Sequence, residues 1–343
     1  MTMTVAKLTS AYKISVTNTI NYYNTLIRNV LKTRLPNATK TSNINKLKAQ
    51  CQTALAALKK TYEAELIKLT KPTLALPILA PPILAPPILT KKKALLIGIN
   101  YIGTSSQLNG CINDVNSLKT TLTTKYGFSA EADAIKIITD ETVQKPTRVN
   151  ILAAFKQLLE SGVEGDLLFF AFSGHGSSTF DANRDEVAGG KDEMIITSDS
   201  KGIVDDELKA LIQTYLKKDV TLFALFDCCF SGTVLDLKYQ YLDSLDNDNS
   251  TVNSNEAETI GNVIMISGCN DNQTSADAYI NAKYQGAMTW AFLSTLSASP
   301  AKQPLSWRSL LTQMRDKLKT SKYEQLPQLS TGCFMDINKV ICL

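Results

Sequence analysis

Apolar residues along this chain fall into two textures. From Val5 onward they recur at helical spacing: Val5, Leu8, Tyr12, Val16, Ile20, Tyr23, Ile27 and Val30. Pro36-Asn37 breaks the series, and a second one runs through Ile44, Leu47, Cys51, Leu55, Leu58, Tyr62 and Leu66. Two helical periods separated by a proline predict an antiparallel helical hairpin. A Pro-Ile-Leu-Ala-Pro repeat then fills 77–89, and proline at that density imposes extended polyproline II structure. This divides the chain into an N-terminal helical piece at 1–71, a Pro-rich linker at 72–93 ending in Lys91, Lys92 and Lys93, and a larger domain at 94–343.

Within the larger domain, short apolar runs alternate with helical patterns. Strands are predicted at 94–99, 134–139, 167–172, 220–226 and 262–267, with a last one around 334–337. Helices are predicted at 113–124, 146–160, 205–217, 286–296 and 306–319. This alternation specifies an α/β fold: a mostly parallel sheet covered by helices on both faces, a three-layer sandwich. A stretch rich in Asn, Asp and Ser divides the domain into 94–240, a polar linker at 241–260, and 261–343. In parallel sheets, sites form at the carboxyl ends of strands.

Composition narrows the class. Hydrophobic residues make up 44% and charged residues 20% of 343, which suits a soluble globular protein. The most apolar stretch, 72–89, holds six prolines, so no membrane span is expected. No signal peptide is visible. Seven cysteines without regular spacing argue against a disulfide framework and for a reducing, cytoplasmic setting. The net charge of +4 conceals an asymmetry: residues 1–93 carry 15 Lys and Arg against only Glu63 and Glu65, leaving 21 basic and 30 acidic residues beyond. The basic piece suits an anionic partner or the acidic remainder of its own chain. No nucleic-acid module accompanies the charge, so nucleic acid is not the expected partner.

Two strands finish in reactive clusters. One runs into Ser173-Gly-His-Gly176 and holds His175, the single histidine of the chain; the other runs into Asp227-Cys-Cys-Phe-Ser-Gly232. A thiol and an imidazole on one rim suit nucleophilic catalysis: the imidazole favours the thiolate and later protonates a leaving amine. Flanking glycines let backbone approach a substrate, and N–H groups of Gly176 and Cys229 are candidates for an oxyanion site. Paired Cys/His spacing for zinc is absent, as is a Gly-x-Ser-x-Gly elbow.

These two segments resemble the histidine and cysteine motifs of metacaspases, and the 54-residue separation fits the caspase-type spacing of about 50. Further blocks agree: Gly110-Cys-Ile-Asn-Asp114, Ser267-Gly-Cys-Asn-Asp-Asn-Gln-Thr-Ser-Ala-Asp277 and Gly286-Ala-Met-Thr-Trp-Ala-Phe292. The resemblance covers nearly all of 94–343. It implies a caspase-like sandwich and a cysteine endopeptidase with His175 and Cys229 as the dyad, acting in programmed cell death or stress response. The short central linker and N-terminal extension resemble the type I members, typically monomeric. One departure is Phe230, where the family commonly has histidine. The competing class is a non-catalytic caspase-like scaffold whose N-terminal piece recruits partners.

The family register picks Cys229 over Cys228, and strand alternation turns their side chains to opposite faces. The resemblance places Cys111, Asp114, Ser173 and Asp227 in the primary specificity pocket. Two carboxylates there imply peptide or protein substrates with Arg or Lys before the scissile bond. It also implies an activating Ca²⁺ held by Asp192, Asp205, Asp206 and Asp236, with no organic cofactor; Asp205 and Asp206 also fit plain helix caps. Lys91, Lys92, Lys93 and Lys238 are the candidate self-cleavage sites, with the basic arm expected to cover the site until cut.

Overall fold

A computed structural model describes residues 5–70, 91–131, 133–180, 191–229, 234–241, 251–253, 256–268, 277–280, 283–298, 305–341 and 343. The chain divides into two compact units, Met1–Ala85 and Pro86–Leu343. The first is a pair of helices, α1 (Val5–Leu31) and α2 (Asn37–Thr70). Tyr12, early in α1, stacks on Tyr62, late in α2, with ring centroids 4.4 Å apart, so the helices run antiparallel. Val16, Ile20 and Cys51 are buried between them, and burial pushes the Cys51 thiol pKa up. The proline repeat at 77–89 lies outside the described residues.

The second unit is built on an eight-stranded sheet. Its order is β2 (Ile135–Thr139), β1 (Lys92–Gly98), β3 (Leu167–Ser173), β7 (Thr221–Asp227), β10 (Asn262–Ser267), β13 (Gln328–Thr331), β8 (Tyr239–Tyr241) and β9 (Thr251–Val252). The first five are mutually parallel; β13, β8 and β9 are added antiparallel. The helices are α3 (Cys111–Lys125), α4 (Arg148–Glu160), α5 (Asp205–Tyr215), α6 (Ala287–Ala298) and α7 (Trp307–Thr320).

Strand periodicity explains the layering. Ala94, Leu96, Phe169, Ala171, Phe223 and Leu225 face one core with α3, α6 and α7. Their alternates Leu95, Ile97, Leu168, Phe170, Leu222 and Ala224 face a second core with α4 and α5. Strands buried on both faces must be apolar throughout, which is why these runs carry no polar alternation.

Two expectations need correction. The last strand is β13 at 328–331, not 334–337. Phe334 and Met335 pack against the core as irregular chain, Phe334 edge-on to Tyr239 and both backbone groups of Met335 bonded to the Tyr241 hydroxyl. Lys92 and Lys93 do not precede the first strand; they pair with Leu167 and Leu168 inside the ladder. The Lys92 ammonium is bound by the carbonyls of Tyr126 and Leu343, both at 2.7 Å, so its charge is satisfied within the fold. Within the expected polar linker at 241–260, Thr251–Val252 form β9 of the main sheet.

Smaller sheets complete the unit: β4 (Gly176–Phe180), β5 (Lys191–Ile196) and β6 (Gly202–Val204) form one, and β11 (Asp277–Ile280) with β12 (Lys283–Gly286) another. Phe223 is fully buried, with Phe169, Phe292 and Trp307 at centroid distances of 5.1, 5.8 and 5.6 Å. Phe223→Ala is expected to cost about 3–5 kcal/mol, read as a drop in the denaturant midpoint of the second unit.

Candidate active site

Strands β3 and β7 end together. Ser173 pairs with Asp227 in parallel register, so the segments that follow leave the same rim side by side. The Gly174 N–H donates to the Asp227 carbonyl at 3.3 Å. Two residues further the two segments touch: a β-carbon added at Gly176 would collide with the Cys229 carbonyl and sit 3.3 Å from Cys228 Sγ. Cys228 is fully buried in the α4/α5 core, while Cys229 is partly exposed. The thiol and the imidazole are thus delivered to one rim by the main sheet.

The partly exposed His175 ring is fixed by the protein. Its Nε2 lies 2.7 Å from the Ser106 carbonyl oxygen. A carbonyl only accepts, so Nε2 carries a hydrogen, and in the neutral ring Nδ1 is the nitrogen with the free lone pair. The main chain is fixed as well: its carbonyl accepts from the Ile196 N–H at 2.9 Å, and its N–H donates to the Tyr101 hydroxyl at 2.8 Å. Sequence patterning gave no signal for Ser106, which acts through its backbone.

Beside this pair lies a group of buried acidic and polar side chains. Asp114, Ser173 and Asp227 are all buried. Ser173 Oγ donates to Asp114 Oδ2 at 2.7 Å. The Gly286 N–H donates to both Asp114 oxygens at 3.0 Å, and the Thr289 N–H to Asp227 Oδ2 at 2.8 Å. These amides open α6, so the positive end of a helix faces two carboxylates and offsets part of the cost of burying them. A β-carbon at Gly286 would strike the Asp227 carboxylate and lie 2.8 Å from Asp114 Oδ2, so the two acids converge on one point. Cys111 is buried one helical turn before Asp114, its N–H held by Asn100 Oδ1 at 3.0 Å.

A second acidic group gathers at the start of α5. Carboxylate oxygens of Asp205, Asp206 and Asp236 lie within 4.8 Å of one another. Asp205 accepts from the Glu193 N–H and from the Asp206 N–H, both at 2.8 Å. Lys209, one turn along the helix, pairs with Asp236 at 3.5 Å and with Glu256 at 2.7 Å. Lys209 and Glu256 had no motif to mark them. Asp192 lies on β5 opposite Thr179, next to Glu193. Lys238 donates to the Glu256 carbonyl at 2.6 Å.

Residues 92–238, which contain both His175 and Cys229, match the family described as "Metacaspase, peptidase C14 domain". Metacaspase-1 of Kluyveromyces lactis is 39% identical over 298 residues, covering 72% of this chain and 67% of that protein. Metacaspase-1 of Saccharomyces cerevisiae is 37% identical over 300 residues, covering 72% and 68%. A solved structure from Geobacter sulfurreducens shares the fold with a TM-score of 0.54 at 22% identity, covering 74% of this chain and 98% of its own. Sheet, helix layers and these relatives together define a caspase-like cysteine peptidase, a hydrolase acting on protein substrates. Within that class the chain belongs to the metacaspase family. Among the described residues no helix is long and apolar enough to cross a membrane.

The contact at Gly176 is testable. Gly176→Ala must push back the segment carrying Cys229, and displacements of about 1 Å can cost ~100-fold in rate. Peptidase turnover is expected to fall by about that factor, while the circular dichroism spectrum is unchanged.

Proposed function

We propose that this chain is an endopeptidase that cuts after Arg or Lys, with Cys229 as nucleophile and His175 as general base and acid. The observation that carries the reading is the convergence of Asp114 and Asp227 beside the rim that holds both reactive residues. A guanidinium or ammonium entering between two buried carboxylates gains charge-assisted hydrogen bonds, whereas an acidic side chain is repelled.

The chemistry follows from the tautomer. Nδ1 of His175 takes the Cys229 proton, and the thiolate attacks the scissile carbonyl carbon. The oxyanion that forms is met by the N–H groups of Gly176 and Cys229. Strand pairing supports the first of these. Gly176 lies opposite Ile195, next to the pair in which Ile196 bonds to His175. Alternation along an antiparallel ladder then turns the Gly176 N–H away from β5. Collapse expels the amine with the imidazolium proton and leaves a thioester. Water, deprotonated by His175, hydrolyses the thioester, releasing the new carboxyl terminus and restoring the thiol.

Ca²⁺ stimulation is part of the proposal. Asp205, Asp206 and Asp236 offer the hard oxygen donors that fit the ion, with Asp192 on the neighbouring strand. When bound, a divalent cation neutralises carboxylates that otherwise repel one another. Asp236, seven residues after Cys229, ties this group to the segment carrying the thiol. Self-processing at Lys91–93 or Lys238 has less support. Lys92 and Lys93 are ladder residues, and the carbonyls of Lys91 and Lys238 accept from Leu167 and Asn253. Each site must open locally before it can enter an active site.

A peptide panel differing only at the residue before the scissile bond is expected to give kcat/KM at least ~100-fold higher for Arg and Lys than for Asp, with no turnover in Cys229→Ala. Preference for Asp would overturn the pocket assignment. An inactive wild type, fully folded with calcium present, would favour the scaffold class. Calorimetric titration with Ca²⁺ is expected to show binding that Asp205→Ala/Asp206→Ala abolishes, with chelator lowering wild-type activity. Unchanged heat and unchanged activity would remove calcium from the scheme.

A further inference from the structure

Tyr101 follows β1 and had no part in the sequence reading of the site. Its hydroxyl is buried between two backbone groups of the β4–β5 hairpin. It accepts the His175 N–H at 2.8 Å and donates to the Ile196 carbonyl at 2.7 Å. The hairpin register pairs Gly176 with Ile195, so His175 and Ile196 are the next pair outward. An ordinary hydrogen-bonded antiparallel pair exchanges two direct bonds. One is present, from the Ile196 N–H to the His175 carbonyl at 2.9 Å. The other is replaced by the phenol, wedged into the ladder as a relay.

Three features show that the fold is arranged around this wedge. Tyr101 has φ of 51°, an outlier conformation for a bulky side chain, tolerated where the surroundings over-determine it. Gly174 leaves room for the hydroxyl, since a β-carbon there would sit 2.8 Å from it. The phenol ring lies against the imidazole, with centroids 4.6 Å apart and planes tilted by 35°. Burial pushes the phenol pKa up, so the hydroxyl stays protonated and keeps donating to Ile196.

The same residue reaches the other side of the ring. The Tyr101 carbonyl accepts from the Thr104 N–H at 3.1 Å and from Thr104 Oγ1 at 2.8 Å, closing the turn that leads to Ser106. The Ser106 carbonyl in turn holds Nε2. His175 is therefore held at its main chain by the Tyr101 hydroxyl and at its ring by a loop that starts from Tyr101.

We propose that Tyr101 is the positioning residue of the metacaspase reaction in this chain: its hydroxyl holds the His175–Ile196 pair apart and thereby sets where the imidazole stands relative to Cys229. This rests on the dyad reading above. Without the hydroxyl, the His175 N–H and the Ile196 carbonyl are free to close to a direct bond of about 2.9 Å, drawing His175 toward β5 by an ångström or more. Substrate contacts in the acidic pocket do not pass through this wedge, so binding is left intact.

The test compares wild type, Tyr101→Phe, Gly174→Ala and His175→Ala in the full chain, on a peptide with Arg before the scissile bond. Tyr101→Phe is expected to lower kcat by about 10- to 100-fold with KM within twofold. Because the chain has one histidine, its imidazole gives a single NMR signature, which should shift in Tyr101→Phe at unchanged melting temperature. Gly174→Ala displaces the hydroxyl, together with the Phe172 ring edge 2.9 Å from the added carbon, without altering Tyr101, and should reproduce the loss of kcat if Tyr101→Phe does not fold. If His175→Ala is inactive but either folded variant keeps kcat within twofold and the wild-type imidazole signal, the wedge is overturned. If His175→Ala is fully active, the dyad reading itself fails.

Discussion

Pairing of β3 with β7 sets the position of everything at the catalytic rim. The two strands match residue for residue from Leu167 opposite Thr221 to Ser173 opposite Asp227. Each is buried on both faces, so each residue is committed to one core or the other. A slip of one residue would put Phe169 and Phe223, now paired in one layer, on opposite faces of the sheet, and the cost of repacking so many apolar side chains holds the register. The positions of His175 and Cys229 beyond the strand ends inherit that precision from hydrophobic packing well below them.

The buried carboxylates of Asp114 and Asp227 add a second dependence. Asp114 and Asp227 come from the segment before the polar linker, while their amide partners at Gly286 and Thr289 come after it. Buried carboxylates without donors are costly, so docking of α6, which brings the Gly286 and Thr289 amides, helps to satisfy this pair. The two halves of the domain are therefore joined at the site itself as well as through the β7–β10 and β10–β13 ladders.

How far the sequence disclosed this depends on what kind of signal each residue carries. Central strands were legible because burial on both faces demands unbroken apolar runs, and β10 at 262–267 needs nothing more. The edge strands were not. Gln328-Leu-Ser-Thr331 and Tyr239-Gln-Tyr241 are short and polar, and pairing alone makes them strands. Phe334–Ile337 misled for the opposite reason: its apolar residues pack on the core, Ile337 buried and Phe334 and Met335 partly so, with no ladder. At the site, His175 and Cys229 were visible as the change from apolar to reactive residues, and the resemblance supplied Asp114 and Asp227. Ser106, Tyr101 and Lys209 were hidden because each acts through a carbonyl, an inserted hydroxyl or a tertiary ion pair, none of which has a pattern along the chain; the block opening at Gly286 was visible, but the use of its vacant β-position was not.

The glycines around His175 show what the geometry adds. Their expected use was to let a substrate approach the backbone. Neither Gly174 nor Gly176 is among the residues with left-handed φ, so conformation does not demand glycine there. Space does. Gly174 admits the Tyr101 hydroxyl on one side, and Gly176 admits the Cys229 carbonyl on the other. The Gly-His-Gly triplet is thus a steric requirement of the protein's own packing: the imidazole is held between two close approaches that any side chain would prevent. A rigid mount suits the role proposed for His175, because proton transfer to and from sulfur tolerates little displacement, and the energy that would fix such a base is supplied by folding instead of by the substrate.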